Sequence, residues 1–287
     1  MYNRVKKEEY VIKEKGRILE KWEQLFLFDD DDPDIMGSGQ LKFNFDESDQ
    51  AENVVAELPE KKPEIIKADS VIQAAELAVM KKLAIKADFS QLTNLTVVNT
   101  ALQELTCFYD SFPKIEVLNF LGSVRAYNSY LLINQNGKYE TVKFPKNNIM
   151  LLCYKIHNNC WDYDYKLPYD FSIVLNEHLL NGYFNKVENN NFHPTDCNNP
   201  RGYFAHELGH YLGMQLNAVK DKKIKNTFRR LRKLKAVESE VSKYANTNTH
   251  EFIAECYSEY ICSSNPRRVA CEVSSRLIEL YTEIYGK

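Results

Sequence analysis

At 287 residues the chain can hold one large domain or two small ones, with ample sequence for a core. Its hydrophobic content of 44% and formal charge of −3 call for neither a nucleic-acid partner nor a membrane surface. No run approaches the roughly 18 apolar residues of a membrane span, and Met1 to Tyr10 lack the apolar core of a signal peptide. Seven cysteines, an odd number without a C-x-x-C pair, suit reduced thiols rather than a disulfide framework. The expected compartment is the cytoplasm.

Residues 1 to about 22 read as a charged helix. Asp29 to Asp32, Pro33 and Asp34 then form an acidic knot, Gly37-Ser38-Gly39 follows, and the chain stays acidic to about Pro63. Residues 1–64 are therefore expected to be a flexible leader that adds nothing to a core. Within it, Gln24-Leu25-Phe26-Leu27-Phe28 resembles the peptide by which many bacterial proteins dock on the DNA sliding clamp, and Gln40 to Asp46 echoes it less closely. An amide followed by apolar anchors suits a partner's groove. The same residues can equally fold back on their own domain.

Residues 65–287 have the composition of a compact domain. Helical spacing of apolar positions runs over Ser70–Ala87 and again over Ser90–Phe112. Ile115–Leu121 reads as a strand. Asn136-Gly137, between Tyr130–Asn134 and Tyr139–Phe144, signals a β-hairpin. Ile149–Tyr154 and Phe171–Leu175 are further strands, residues 186–201 a loop, and helices take the rest. Among them Ile224–Val237 is basic and amphipathic, either a solvated face or a site for phosphate or an acidic partner. Helices, a small sheet, then helices make an α+β domain.

The chemistry concentrates in His206-Glu207-Leu208-Gly209-His210. Histidines four apart lie on one helix face, so their imidazoles can share one Zn²⁺. Glu207 emerges beside that ion, where a carboxylate can move protons between water and a leaving amine. The pattern is the H-E-x-x-H signature of zinc metallopeptidases. Tyr203, Phe204, Leu208, Tyr211 and Leu212 supply the apolar flanks of a buried helix, and Gly209 leaves room for something to pack beside the metal.

A catalytic zinc usually takes three protein ligands. The extended His-x-x-Gly-x-x-His form is excluded, because Gly213 is present but the last position is Leu216. Downstream, Glu251, Glu255 and Glu259 step by four on one helix face. Such a stripe can be solvated surface, and Glu251 can be the N3 partner of a capping box begun by Asn248. His250 and Glu251, being adjacent, point about 100° apart and cannot both face one ion.

The segment Ser242-Lys243-Tyr244-Ala245-Asn246-Thr247-Asn248, continued by Glu251-Phe252-Ile253-Ala254-Glu255, resembles the corresponding piece of the anthrax lethal factor peptidase domain. Similar domains occur in phage minor head proteins, and Phe192-His193-Pro194 is similar to a piece preceding their zinc helix. The resemblance covers roughly residues 170–262. It implies a gluzincin-type, zincin-like fold with Glu251 as third zinc ligand and Glu255 orienting a ligand histidine. It further implies Tyr244 as the phenol facing the oxyanion, and Phe171–Leu175 as the strand along which a peptide substrate lies. The expected activity is zinc-dependent endopeptidase hydrolysis of a protein or peptide substrate. The rival expectation is a phage head or partner-docking protein that keeps the fold with little turnover, in the host cytoplasm or the virion.

Overall fold

The protein is described from a computed structural model covering residues 65–134, 150–153, 171–181 and 191–286. The leader, its docking peptide at Gln24–Phe28, and the hairpin turn at Asn136-Gly137 with Tyr139–Phe144 lie outside the described residues.

Helix α1, Val71–Met80, starts at Ser70, whose Oγ accepts the Gln73 N–H at 3.2 Å. It ends sooner than the periodicity predicts. Lys82 takes φ = 57°, and Leu83 N–H closes back on Ala78 O at 2.8 Å, the ring that terminates helices when a left-handed residue follows them. Glycine usually fills that position and here a lysine does, so the sequence gives no stop signal. Leu83 and Ala84 therefore lead into strand β1, Ala84–Asp88, instead of extending the helix.

Helix α2, Leu95–Ser111, is capped by Asn94 and followed by strand β2, Leu118–Ser123. Helix α3 then takes Val124–Asn134, including Tyr130–Asn134, which the hairpin signal assigns to a strand. The reason lies in packing. Tyr127 and Tyr130, three apart, pack against Phe120 of β2 with ring centroids 5.3 and 5.2 Å away, so α3 covers the back of the sheet. Burial of aromatic area there outweighs the local hairpin signal.

Strands β3, Met150–Cys153, and β4, Ser172–Leu175, complete a sheet of order β1-β2-β4-β3. The first three strands run parallel, and β3 pairs antiparallel with β4. Ile173 and Leu175 of β4 join Leu121 in the main core, while Val174 joins Phe120 in the smaller cluster under α3. A strand buried on both faces reads as a continuous apolar run, which is the pattern of Ser172-Ile173-Val174-Leu175. Because β4 is bonded on both edges, it has no free edge for a peptide. Among the described strands the edge beside β4 belongs to β3, which packs against α5.

The remaining elements are helical: α4 at Glu177–Leu180, α5 at Pro200–Gln215, α6 at Lys222–Lys233, α7 at Val237–Glu240, α8 at Thr249–Cys262 and α9 at Arg268–Tyr285. The fold is α+β and mostly helical. Helix α5 is its centre, buried along nearly its whole length between the sheet, α2 and α8. Tyr211 of α5 stacks on Phe108 of α2 at 5.8 Å and meets Phe171 at 4.9 Å. In α6, Ile224, Phe228 and Leu231 are buried as the amphipathic pattern predicts, but Leu234 falls after the helix and is exposed. No described helix is long and apolar enough to cross a membrane.

Candidate metal centre

Two capped helices run antiparallel to make the site. Asn199 Oδ1 accepts the Gly202 N–H at 3.1 Å, and Pro200 takes the first turn of α5, where its missing N–H costs nothing. Asn248 Oδ1 does the same for Glu251 N–H at 3.0 Å, opening α8. The helices touch through small residues. A methyl group at Gly209 would sit 2.8 Å from Ala254 Cα, and Ser258 Oγ donates to Gly202 O at 2.8 Å. With residue 202 opposite 258, antiparallel packing sets 206 against 255 and 210 against 251. Two histidines one turn apart thus face two glutamates one turn apart.

His206, His210 and Glu251 form the metal-capable group found among the described residues. His206 Nε2 and His210 Nε2 lie 3.0 Å apart, and Glu251 Oε2 lies 3.1 Å from His210 Nε2 and 3.2 Å from His206 Nε2. A tetrahedral zinc with bonds of about 2.0–2.1 Å holds its donors roughly 3.3–3.4 Å apart, so this near-equilateral triangle fits the ion closely. The chemistry agrees with the geometry. Burial opposes charge on His206, but Glu251 and Glu255 outweigh it and hold its pKa well above the usual histidine range. Glu251 is driven far below the carboxylate range, because His210 and His206 outweigh its own desolvation. Two imidazoles and an ionised carboxylate aimed at one point are a demand for positive charge.

Glu255 sits behind the triangle, fully buried. Its Oε1 is 2.7 Å from His206 Nδ1, an ion-pair contact although the N–H is not aimed squarely at it, and 3.0 Å from His193 Nδ1. Its Oε2 accepts from Ser242 Oγ at 2.8 Å. Burial would raise its pKa, yet the two histidines lower it to about 2, so the carboxylate stays ionised. A carboxylate on the far nitrogen of a ligand histidine fixes the tautomer that leaves Nε2 free to bind metal.

Tyr244 opens a short 3-10 turn, Tyr244–Asn246. Its ring stacks on His206 at 5.6 Å and on Phe192 at 5.1 Å, and its N–H donates to Phe192 O at 3.1 Å. Desolvation and the charges of Glu251, Glu207 and Glu255 hold its pKa well above 10, so it remains a phenol that can donate. Glu207 is buried on α5 and close enough to act on Tyr244 electrostatically. All three glutamates of the downstream ladder are buried, which removes the solvated-surface alternative. His250 is half-buried and outside the donor triangle.

Two members of the site escape a search for motifs. His193 reaches Glu255 from the loop before α5, and Ser242 reaches it from the segment before Tyr244. Their sequence signals are Phe192-His193-Pro194 and the serine two residues before the tyrosine, and the fold gives both a role by placing Glu255 between them. Comparisons with protein-family models, with curated proteins and with solved structures find no match to this chain.

Proposed function

We propose that this protein is a zinc-dependent endopeptidase of the gluzincin type, with a zincin-like fold built around α5. The observation that carries the reading is the donor triangle of His206, His210 and Glu251, 3.0–3.2 Å on each side, braced by Glu255. A set of two imidazoles and one carboxylate suits zinc among the common divalent ions. Bound there, the ion would polarise a scissile carbonyl and make water acidic enough to be deprotonated near neutral pH.

The chain's own residues supply the rest. Glu207, next to the first ligand but outside the triangle, takes a proton from the attacking water and hands it to the leaving amine. Tyr244, kept protonated, donates to the oxygen on which negative charge develops. Glu255 holds the His206 ring, and an extended peptide would lie along β3, the outermost of the described strands on the α5 side.

The test joins metal analysis to a cleavage screen. Purified protein should hold close to one zinc per chain, and a proteome digest should show new N-termini that are absent with Glu207→Gln. Stoichiometric zinc without any Glu207-dependent cleavage would instead favour a protein that keeps the site for assembly or docking.

A further inference from the structure

Glu259, the third member of the acidic ladder, has no place at the metal. It is 3% exposed and meets Arg267 from the loop between α8 and α9. Arg267 Nε donates to Oε1 at 2.8 Å, one terminal nitrogen donates to Oε2 at 2.8 Å, and the Arg267 backbone N–H donates to Oε1 at 2.9 Å. The guanidinium has donors to spare, and they go elsewhere. One reaches Ser239 O at 2.9 Å and another reaches Val241 O. The cation thus ties α8 to the strip 239–241, which leads directly into Ser242 and Tyr244.

The strip is anchored at one point of its own, where the buried Val241 side chain joins the core and its N–H donates to Val237 O at 2.8 Å, and past that point it has no regular structure. Helix α7 is a single turn ending at Glu240, and Val241 has left helical backbone. Ser242 Oγ then donates to Glu255 and accepts the Ala245 N–H at 3.0 Å, which starts the turn carrying Tyr244. Lys243 and Tyr244 donate backbone N–H bonds to Asn191 O and Phe192 O, both at 3.1 Å. The zinc donors, by contrast, sit inside α5 and α8, whose mutual packing does not involve Arg267.

We infer that Arg267 is a positioning residue, held by Glu259, that fixes the Ser239–Ser242 strip and so sets the Tyr244 phenol against the metal site without touching substrate or metal. The inference rests on the peptidase reading for its kinetic consequence, while the mechanical clamp can be tested without turnover. A planar fork bonding a carboxylate on one side and two carbonyls on another is a geometry that lysine cannot copy.

Arg267→Lys is the decisive variant, since it keeps a cation beside buried Glu259, whereas Arg267→Ala would leave that carboxylate unpaired and can fail to fold. In amide hydrogen exchange on the whole chain, Arg267→Lys should exchange at least about tenfold faster over residues 239–247 and unchanged over 206–212 and 251–259. Zinc affinity should stay within about threefold of wild type. With a validated substrate, kcat should fall by about tenfold or more with KM nearly constant, as for loss of an interaction made only in the transition state. In a Tyr244→Phe background the same Arg267→Lys change should have no further effect on kcat. Unchanged exchange over 239–247 overturns the clamp. Additive kcat losses in the double variant overturn its action through Tyr244. Absence of zinc and of cleavage in wild type would sink the peptidase reading alone, and the exchange result would still decide the clamp.

Discussion

Glu255 Oε1 stands between two histidines, 2.7 Å from Nδ1 of His206 and 3.0 Å from Nδ1 of His193, while its neighbour one turn earlier, Glu251, faces the opposite nitrogen of the same His206 ring. One imidazole is therefore held from both sides by carboxylates from a single helix. The two carboxylates have different work, and single substitutions should separate them.

Glu251→Ala removes a donor from the triangle and should weaken zinc most. Glu255→Ala removes only the brace, so the loss should be in the range of about 10–100-fold. His250→Ala should leave zinc affinity nearly intact. Competition with a chelator of known affinity gives the ranking. A larger loss at His250 than at Glu251 would mean that the wrong face of α8 has been assigned to the metal.

Gly209 tests the spacing between the two helices. On an isolated helix, alanine in place of glycine would stabilise by about 1 kcal/mol. Here the new methyl would meet Ala254 Cα at 2.8 Å, with Ala254 O and Tyr257 Cβ at 3.1 Å, and backbone atoms cannot turn aside. Overpacking of this kind costs about 1–3 kcal/mol, so the net effect should be destabilising. Urea unfolding of Gly209→Ala should show it, together with weaker zinc binding as α8 is pushed off His210. A variant as stable as wild type would mean that α5 and α8 are not in contact here.

What could be read from the sequence followed how far apart the cooperating residues lie. His206 and His210 are one turn apart, so the chain itself displays their common face. Glu251 and Glu255 repeat the same step, and helix geometry alone put both on one side. His193 and Glu255 are 62 positions apart, and no local pattern couples them. The pairing of Glu259 with Arg267 crosses a helix end, where periodicity stops. Strand β1 is hidden because Lys82 does the stopping that glycine normally signals, and α3 because Asn136-Gly137 marks Tyr130–Asn134 as a hairpin strand while the ring that Tyr130 packs on, Phe120, belongs to another element. Phe171–Leu175 reads as a strand and Ser172–Leu175 forms one, but a single strand cannot reveal that both its edges are taken.

Glu207→Gln and Tyr244→Phe divide catalysis from structure. On the proposed mechanism the first keeps size and nearly all packing but removes the base, so zinc should remain close to stoichiometric while hydrolysis falls by orders of magnitude. The second removes one donor to the developing oxyanion, a loss of about 10²–10³ in kcat if the phenol carries that role alone. Both should melt within a few degrees of wild type. Hydrolysis by Glu207→Gln at the wild-type rate would remove this residue from the mechanism.

Away from the metal, the pairing of Asp221 with Arg276 predicts an acid-dependent loss of stability. Asp221 caps α6 by accepting the Ile224 N–H at 3.0 Å, and its Oδ2 lies 3.0 Å from Arg276 of α9. Partial burial raises its pKa, but the bonds from Arg276 and Ile224 outweigh that and leave it below the usual 3.8. A carboxylate whose folded pKa is depressed stabilises the fold above its unfolded pKa and loses that contribution as pH falls through the folded value. Asp221→Asn keeps the capping oxygen and discards the charge, leaving Arg276 to Glu279 and Glu283, each 2.7 Å away. At pH 6 the variant should be less stable than wild type by about 1 kcal/mol, a charge-assisted bond weakened by solvent screening of a partly buried pair. As pH falls below the usual carboxylate range and through the depressed folded pKa, wild-type Asp221 takes up a proton and the difference should shrink toward zero. Asp221→Ala should cost about 1 kcal/mol more than Asp221→Asn at either pH, since the cap is lost as well. Urea titrations of the three proteins between about pH 2 and pH 6 give the comparison. If Asp221→Asn trails wild type by the same amount at both ends, the Arg276 bond does not hold Asp221 in its charged form.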